Sequence, residues 1–159
     1  MQKNFIVEIK KIFPNKWIPI GPDDIILRIR VIDETGRECE FEYLDWYRHF
    51  LSAIERAIVG DVPKLTLKGC NFSLQWINGR DVRLSLEDEE KRCSVELSFT
   101  NFVNEIRKMT DQIVEIMDKR TMEVSELKGR EEFTDLCKDA FGKYEKWKKG
   151  NRTLSETYR

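Results

Sequence analysis

The sequence predicts an α+β fold: an antiparallel twisted sheet of about six to seven strands, with helices packed on one face and an amphipathic helix at the C-terminus. Three observations predict it. Several runs alternate apolar and polar residues with a period of two, as half-buried strands do. Short glycine-bearing stretches such as "DETGR" and "INGR" separate these runs and carry the turn chemistry of hairpins. Three longer segments repeat their apolar residues at steps of three and four, the period of a helix face.

Residues 5–12, "FIVEIKKI", read as the first strand, and the Pro- and Gly-rich "FPNKWIPIGPDD" after them as a loop. "IILRIRVI" and "ECEFEYL" then alternate, with Leu27, Ile29 and Val31 apolar in one and Cys39, Phe41 and Tyr43 in the other. Parity constrains the turn between them, because a one-residue slip would turn every side chain to the other face. A three-residue loop, Glu34-Thr35-Gly36, sets Val31 opposite Cys39, Ile29 opposite Phe41 and Leu27 opposite Tyr43. Gly36 then takes the left-handed position of a G1 bulge. The same register sets Arg30 opposite Glu40 and Arg28 opposite Glu42, so the second face becomes a lattice of opposite charges.

A helix follows, with Asp45 as its N-cap, Tyr47, Phe50, Leu51, Ile54 and Ile58 along one stripe, and Gly60 at its end. Four more strands fit residues 65–68, 71–76, 80–87 and 92–99. A type II′ turn at Gly69-Cys70 pairs Leu67 with Phe72 and Leu65 with Leu74. In "INGR", a two-residue Asn-Gly turn would set Trp76 opposite Asp81, which parity rejects. A three-residue loop, Ile77-Asn78-Gly79, instead pairs Leu74 with Val82 and Phe72 with Leu84, with Gly79 as the bulge residue.

The stretch "SLEDEEKRCSVEL" keeps its apolar residues together when Leu86 faces Cys93 and Leu84 faces Val95. Glu87 then meets Arg92, Asp88 meets Lys91 and Arg83 meets Glu96. The acidic run is therefore read as a self-neutralising hairpin tip, with only Glu89 and Glu90 unmatched, and not as an acidic binding site.

Thr100 or Asn101 caps the next helix, which runs to about Arg120 with Phe102, Ile106, Met109, Ile113 and Ile116 in its seam. After the polar break "TMEVSELKGRE", a last helix over about residues 131–149 carries Phe133, Leu136, Cys137, Ala140, Phe141, Tyr144 and Trp147 on one face. Gly150 is expected to close it, leaving "NRTLSETYR" as a loose tail. The organisation expected is an α+β domain over residues 1–120 and a helical extension over residues 121–159, packing on the domain or on a partner.

A chain of 159 residues can bury such a core without disulfides or metals. Its 28 Lys and Arg against 29 Asp and Glu leave no global field to draw in nucleic acid or an anionic membrane, so neither is expected as a partner. No apolar run reaches the length of a membrane span, and "MQKNFIVEIKK" has neither the long apolar run nor the cleavage site of a signal peptide. Cys39, Cys70, Cys93 and Cys137 are scattered with no CxxC pair, and read as reduced thiols of a cytoplasmic protein.

Little in the sequence points to catalysis. The single histidine, His49, falls beside Ser52, Ala53 and Arg56, off the apolar stripe, and reads as a surface residue. One histidine with no CxxC or HxxxH supplies no metal site, and the absence of GxGxxG and GxxxxGK[ST] removes the standard phosphate loops. No catalytic residue, cofactor or metal ligand is therefore assigned. Cys39, Cys93 and Cys137 read as small core residues and Cys70, in its turn, as an exposed thiol. Trp76 is in phase with Phe72 and Leu74 and reads as core. Trp17 and Trp46 either cover sheet edges or anchor a protein interface. The basic, aromatic-interleaved "KYEKWKKGNR" reads as an amphipathic helix end in preference to a nucleic-acid contact.

Trp17, the run "ILRIRVIDETGRECEFEY", the helix "WYRHFLSAIERAI" and the closing "CSVELSFTNFVNEIRKMTDQI" together resemble the WapI-like bacterial immunity proteins and their relatives of unknown function. The resemblance covers about residues 5–117 and is one of architecture. It implies a protein without catalysis of its own that binds and blocks a cognate toxin, and it carries no functional residues across. The function expected is thus a non-enzymatic, cytoplasmic protein-binding module of the immunity or antitoxin kind, its partner-binding residues unassigned. The alternative is a structural or regulatory subunit that homodimerises through the last helix, and a third reading is an enzyme with an unrecognised carboxylate site.

Overall fold

The computed structural model describes residues 4–12, 25–43, 46–60, 64–67, 70–118 and 127–157. Their elements follow in the order β1 (Phe5–Ile12), β2 (Ile25–Ile32), β3 (Glu38–Tyr43), α1 (Trp46–Ile58), β4 (Lys64–Leu67), β5 (Cys70–Trp76), β6 (Asp81–Asp88), β7 (Arg92–Ser98), α2 (Phe99–Asp118) and α3 (Leu127–Thr157). The fold is α+β with antiparallel pairing throughout, but the strands do not join in one sheet. β1-β2-β3 make one sheet and β4-β5-β6-β7 a second, which corrects the single sheet of six to seven strands. Alternation says which face of a strand is buried and nothing about which edge meets which. Here α1 separates the two ribbons in the chain, and β2 and β7 draw near without pairing.

Both sheets turn their apolar faces to the same helices, so there is one core. Leu27, Ile29, Val31 and Phe41 enter it from the first sheet, and Phe72, Leu74, Val82, Leu84 and Val95 from the second. The helices add Phe50 and Ile54, Phe99, Phe102 and Ile106, and Phe133, Phe141 and Tyr144. Each such burial is worth roughly 1.5–3 kcal/mol before chain entropy is counted. Phe102 of α2 sits at the junction: its ring lies 5.5 Å from Phe5 of β1, 6.3 Å from Phe72 of β5 and 6.3 Å from Phe50 of α1.

The β2–β3 hairpin has the register its alternation demands, with Leu27, Ile29 and Val31 opposite Tyr43, Phe41 and Cys39. Gly36 takes φ 84°, and its amide donates to the Asp33 carbonyl at 3.0 Å. The β6–β7 register is also as expected, Leu84 facing Val95 and Leu86 facing Cys93. Two other hairpins differ. β4 pairs Leu67 with Cys70 and Leu65 with Phe72, and β5 pairs Phe72 with Leu86 and Leu74 with Leu84. Both are slips of two residues from the expected register, and a slip by an even number is invisible to parity. In the β5–β6 turn Asn78, and not a left-handed Gly79, shapes the backbone: its Oδ1 accepts from the amides of Arg80 and Asp81, both at 2.7 Å. A bulge in β1, between Ile9 opposite Leu27 and Lys11 opposite Ile26, makes Lys10 an extra residue.

Asp45, expected to cap α1, lies outside the described residues. The helix ends where Gly60, at φ 84°, donates its amide to the Ala57 carbonyl at 3.0 Å. α2 is capped by Ser98, whose Oγ accepts from the Asn101 amide at 3.0 Å, in place of Thr100 or Asn101. α3 corrects the sequence reading at both ends: it starts inside the expected polar break and runs through Gly150 to Thr157. It packs on its own domain, burying Phe133, Ala140, Phe141 and Tyr144 in the shared core. α1 and α3 run the same way, as the ion pairs Arg48–Glu132 (3.3 Å) and Glu55–Lys143 (3.5 Å) show.

Candidate protein-docking groove

α1 stops at Ile58 while α3 continues past it, and the overhang leaves a groove of about 590 Å³. Glu55, Arg56, Ile58 and Val59 line it from the end of α1, and Lys143, Lys146 and Trp147 from α3. The left-handed turn at Gly60 ends the helix, and Val59 beside it is 78% exposed. Trp147 is positioned by helical spacing, one turn beyond Tyr144, which is buried at 1% exposure.

Trp147 is half-buried, and other rings surround it: Trp76 at 5.8 Å, Phe99 at 5.3 Å and Tyr144 at 6.0 Å. Trp76 packs against the core and donates its Nε1–H to the Ala57 carbonyl at 2.8 Å, satisfying a last-turn acceptor of α1. Ile77, next in the chain, is 44% exposed. The two exposed large apolar residues among those described are Val59, two residues beyond Ala57, and Ile77, next to Trp76; of these Val59 lines the groove. Among the described residues, the lining of the groove holds three cations, Arg56, Lys143 and Lys146, and one carboxylate, Glu55. Arg56 lies in the last turn of α1, where a cation offsets the partial negative charge of the helix end.

The charged face of the first sheet is neutralised within itself. Arg30 pairs with Glu38 at 2.5 Å and with Glu8 at 3.3 Å, Arg28 with Glu40 at 2.8 Å, and Lys10 with Glu42. The partners of Arg30 and Arg28 are diagonal neighbours, although Arg30 is directly opposite Glu40 and Arg28 directly opposite Glu42, and Lys10 of β1 reaches Glu42 of β3 across β2. A long guanidinium reaches the diagonal position as easily as the direct one. The Glu38 hydrogen bond, with the charges of Glu38 and Glu8, holds the Arg30 guanidinium above its ordinary pKa.

In the β6–β7 hairpin Arg83 pairs with Glu96 at 2.5 Å along the strands and Lys91 with Asp88 at 3.4 Å at the tip, while Glu87 stands opposite Arg92 in register without an ion pair, so the acidic run is matched only in part. Asp88 Oδ1 accepts from the amides of Glu90 and Lys91, both at 2.8 Å, so it shapes the turn. Desolvation pushes the Asp88 carboxyl up, but those amides and the Lys91 charge outweigh it and hold the carboxyl below its usual range. Glu89 and Glu90 stand exposed at the tip.

Cys39 and Cys93 are buried in the core, as their strand positions require. Burial, with Cys39 alongside, pushes the Cys93 thiol up to about 12, and burial pushes Cys137 up to about 12. Thiols held protonated in this way are poor nucleophiles. His49 is half-buried on α1. Trp17 and the side chains of Trp46 and Cys70 lie outside the described residues. Among the described residues no group of three His, Cys, Asp or Glu could hold a metal ion, and no helix is long and apolar enough to cross a membrane.

Sequence reasoning placed Trp147 on the apolar stripe of α3 but did not single out Val59 or Lys146. The local signal for Val59, an aliphatic residue directly before a helix-closing glycine, is weak without knowing that α3 overruns the helix end. Comparison with family models, with curated protein sequences and with solved structures finds no match to this chain.

Proposed function

We propose that this chain is a non-enzymatic protein-binding module of the immunity or antitoxin kind, which binds and blocks a partner protein through the groove between the end of α1 and α3. The observation that carries the reading is the groove lined by Ile58, the exposed Val59 and the half-buried Trp147, with charged residues around them. An apolar centre ringed by charge is the anatomy of a protein interface, where a few anchors supply affinity and the rim supplies specificity and on-rate. The charged face of the first sheet favours this choice by being paired within itself. The apolar stripe of α3 is used inside its own chain, which favours a foreign partner over homodimerisation through that helix. The resemblance to WapI-like immunity proteins points the same way.

The test is a growth assay. Products of the reading frames adjacent to this gene are expressed in a bacterial host with and without the chain. One of them should arrest growth, and the chain should restore it. If none arrests growth, or if the chain restores none, the immunity reading is wrong.

A further inference from the structure

We propose, resting on the protein-binding reading above, that the groove between the end of α1 and α3 takes an acidic segment of the partner, seated by one aliphatic or aromatic side chain. Charge complementarity selects this occupant. Among the described residues, Arg56, Lys143 and Lys146 rim the groove beside Ile58, Val59 and Trp147, and the one carboxylate of that lining, Glu55, lies 3.5 Å from Lys143. The whole chain carries a formal net charge of −1, so the cations of this groove are a local concentration and not a general excess. An acidic segment is attracted and oriented by the rim, while its apolar residue covers Val59 and Trp147.

Two other occupants fit less well. Single-stranded nucleic acid would use the same cations but also needs an open aromatic face on which to stack. Trp147 is hemmed by Trp76, Phe99 and Tyr144, and Tyr144 is itself buried, so the aromatics interleaved with these lysines serve the core. A second copy meeting the groove about a two-fold axis would set each cationic rim against its own like.

The experiment measures fluorescence anisotropy with three labelled probes: a short Glu/Asp peptide with one central Leu, the same peptide with Lys in place of the acids, and an oligothymidylate. The acidic peptide should bind the full chain, more weakly as salt rises. Its affinity should fall roughly tenfold or more when Lys146→Glu reverses the rim, or when Val59→Ser removes the anchor contact. Both positions lie at the surface of the groove, and the melting temperature of each variant reports whether it folds; Lys146→Gln replaces Lys146→Glu if the reversal fails to fold. Equal or tighter binding of the Lys peptide or the oligothymidylate overturns the proposal. So does indifference to both substitutions, absence of binding, or a concentration-dependent dimer that Lys146→Glu abolishes. In the growth assay, protection that survives both substitutions removes the acidic-segment proposal and leaves the immunity reading standing. Groove-dependent peptide binding by a chain that never protects removes the immunity reading and keeps the groove chemistry.

Discussion

Oε1 of Glu105, on α2, accepts a hydrogen bond from the backbone amide of Val7 at 3.3 Å, across 98 positions of sequence. β1 is the edge of its sheet, and an edge presents every second amide to whatever lies beside it. Ile32 donates to the Asn4 carbonyl at 2.9 Å, so residues in phase with Asn4 bond to β2 and those in phase with Val7 face outward. Glu105, only 6% exposed, occupies that outward side. Glu105→Ala should therefore lower stability by about 1–3 kcal/mol, the cost of orphaning a buried amide. Glu105→Gln, which keeps an acceptor, should lose less. Urea denaturation of the two variants decides it: equal losses would mean that the bond to Val7 is not what Glu105 contributes.

The diagonal pairing on the charged face can be read by double-mutant cycles. Arg30 sits opposite Glu40 but pairs with Glu38 at 2.5 Å. The cycle with Arg30→Ala and Glu38→Ala should show coupling, and the cycle with Glu40→Ala in place of Glu38→Ala should show less. Stronger coupling to Glu40 would return the pairing to the direct arrangement.

Glycines separate into two kinds. Gly36 has φ 84°, which an L side chain adopts with strain, whereas a Cβ at Gly142, inside α3, would meet nothing within 4 Å. Gly36→Ala should destabilise by about 1 kcal/mol or more, and Gly142→Ala should stabilise by about 0.5–1 kcal/mol through the smaller backbone entropy lost on folding. Thermal melts give both signs, and a destabilised Gly142→Ala would contradict the open environment of that helix face.

Acid should weaken the fold through three carboxylates. The Arg107 hydrogen bond, at 2.8 Å, holds Glu145 below its ordinary pKa, and the Thr35 hydroxyl, at 2.6 Å, does the same for Asp33. Asp88 is held down by the turn amides once they outweigh its desolvation. A carboxyl depressed in the folded state contributes stability that is full above its unfolded pKa and is lost as pH falls through the folded one. Melting temperature should hold between neutrality and about pH 5, then fall below about pH 4. Glu145→Gln should make that fall shallower. An unchanged slope would show that the Arg107 pair is equally populated in the unfolded chain.

Thiol chemistry reports the core directly. Cys93 and Cys137, each pushed up to about 12 by burial, carry almost no thiolate at pH 8. Iodoacetamide should modify both slowly in the native chain and rapidly in urea. Mass spectrometry of native protein labelled at Cys93 at the rate of a free thiol would place that residue outside the core.

Faces were legible in the sequence. Leu27, Ile29 and Val31 point inward, as do Leu74, Leu84 and Val95, because the period of a strand is local and a buried face cannot hold a misplaced charge. The Gly36 turn was legible for the same reason: only one loop length keeps parity and puts glycine at a left-handed position. Tertiary structure decided what parity cannot see. The β4–β5 and β5–β6 pairs are offset from the expected register by an even number of residues, and the strands divide into two sheets, since alternation carries no information about even slips or edge partners. The groove belongs to the second class. Val59 and Lys146 acquire their shared setting because α3, docked on the core by Phe133, Phe141 and Tyr144, lies alongside α1 with Lys143 3.5 Å from Glu55 and runs on past the end of that helix, a juxtaposition that no local pattern encodes.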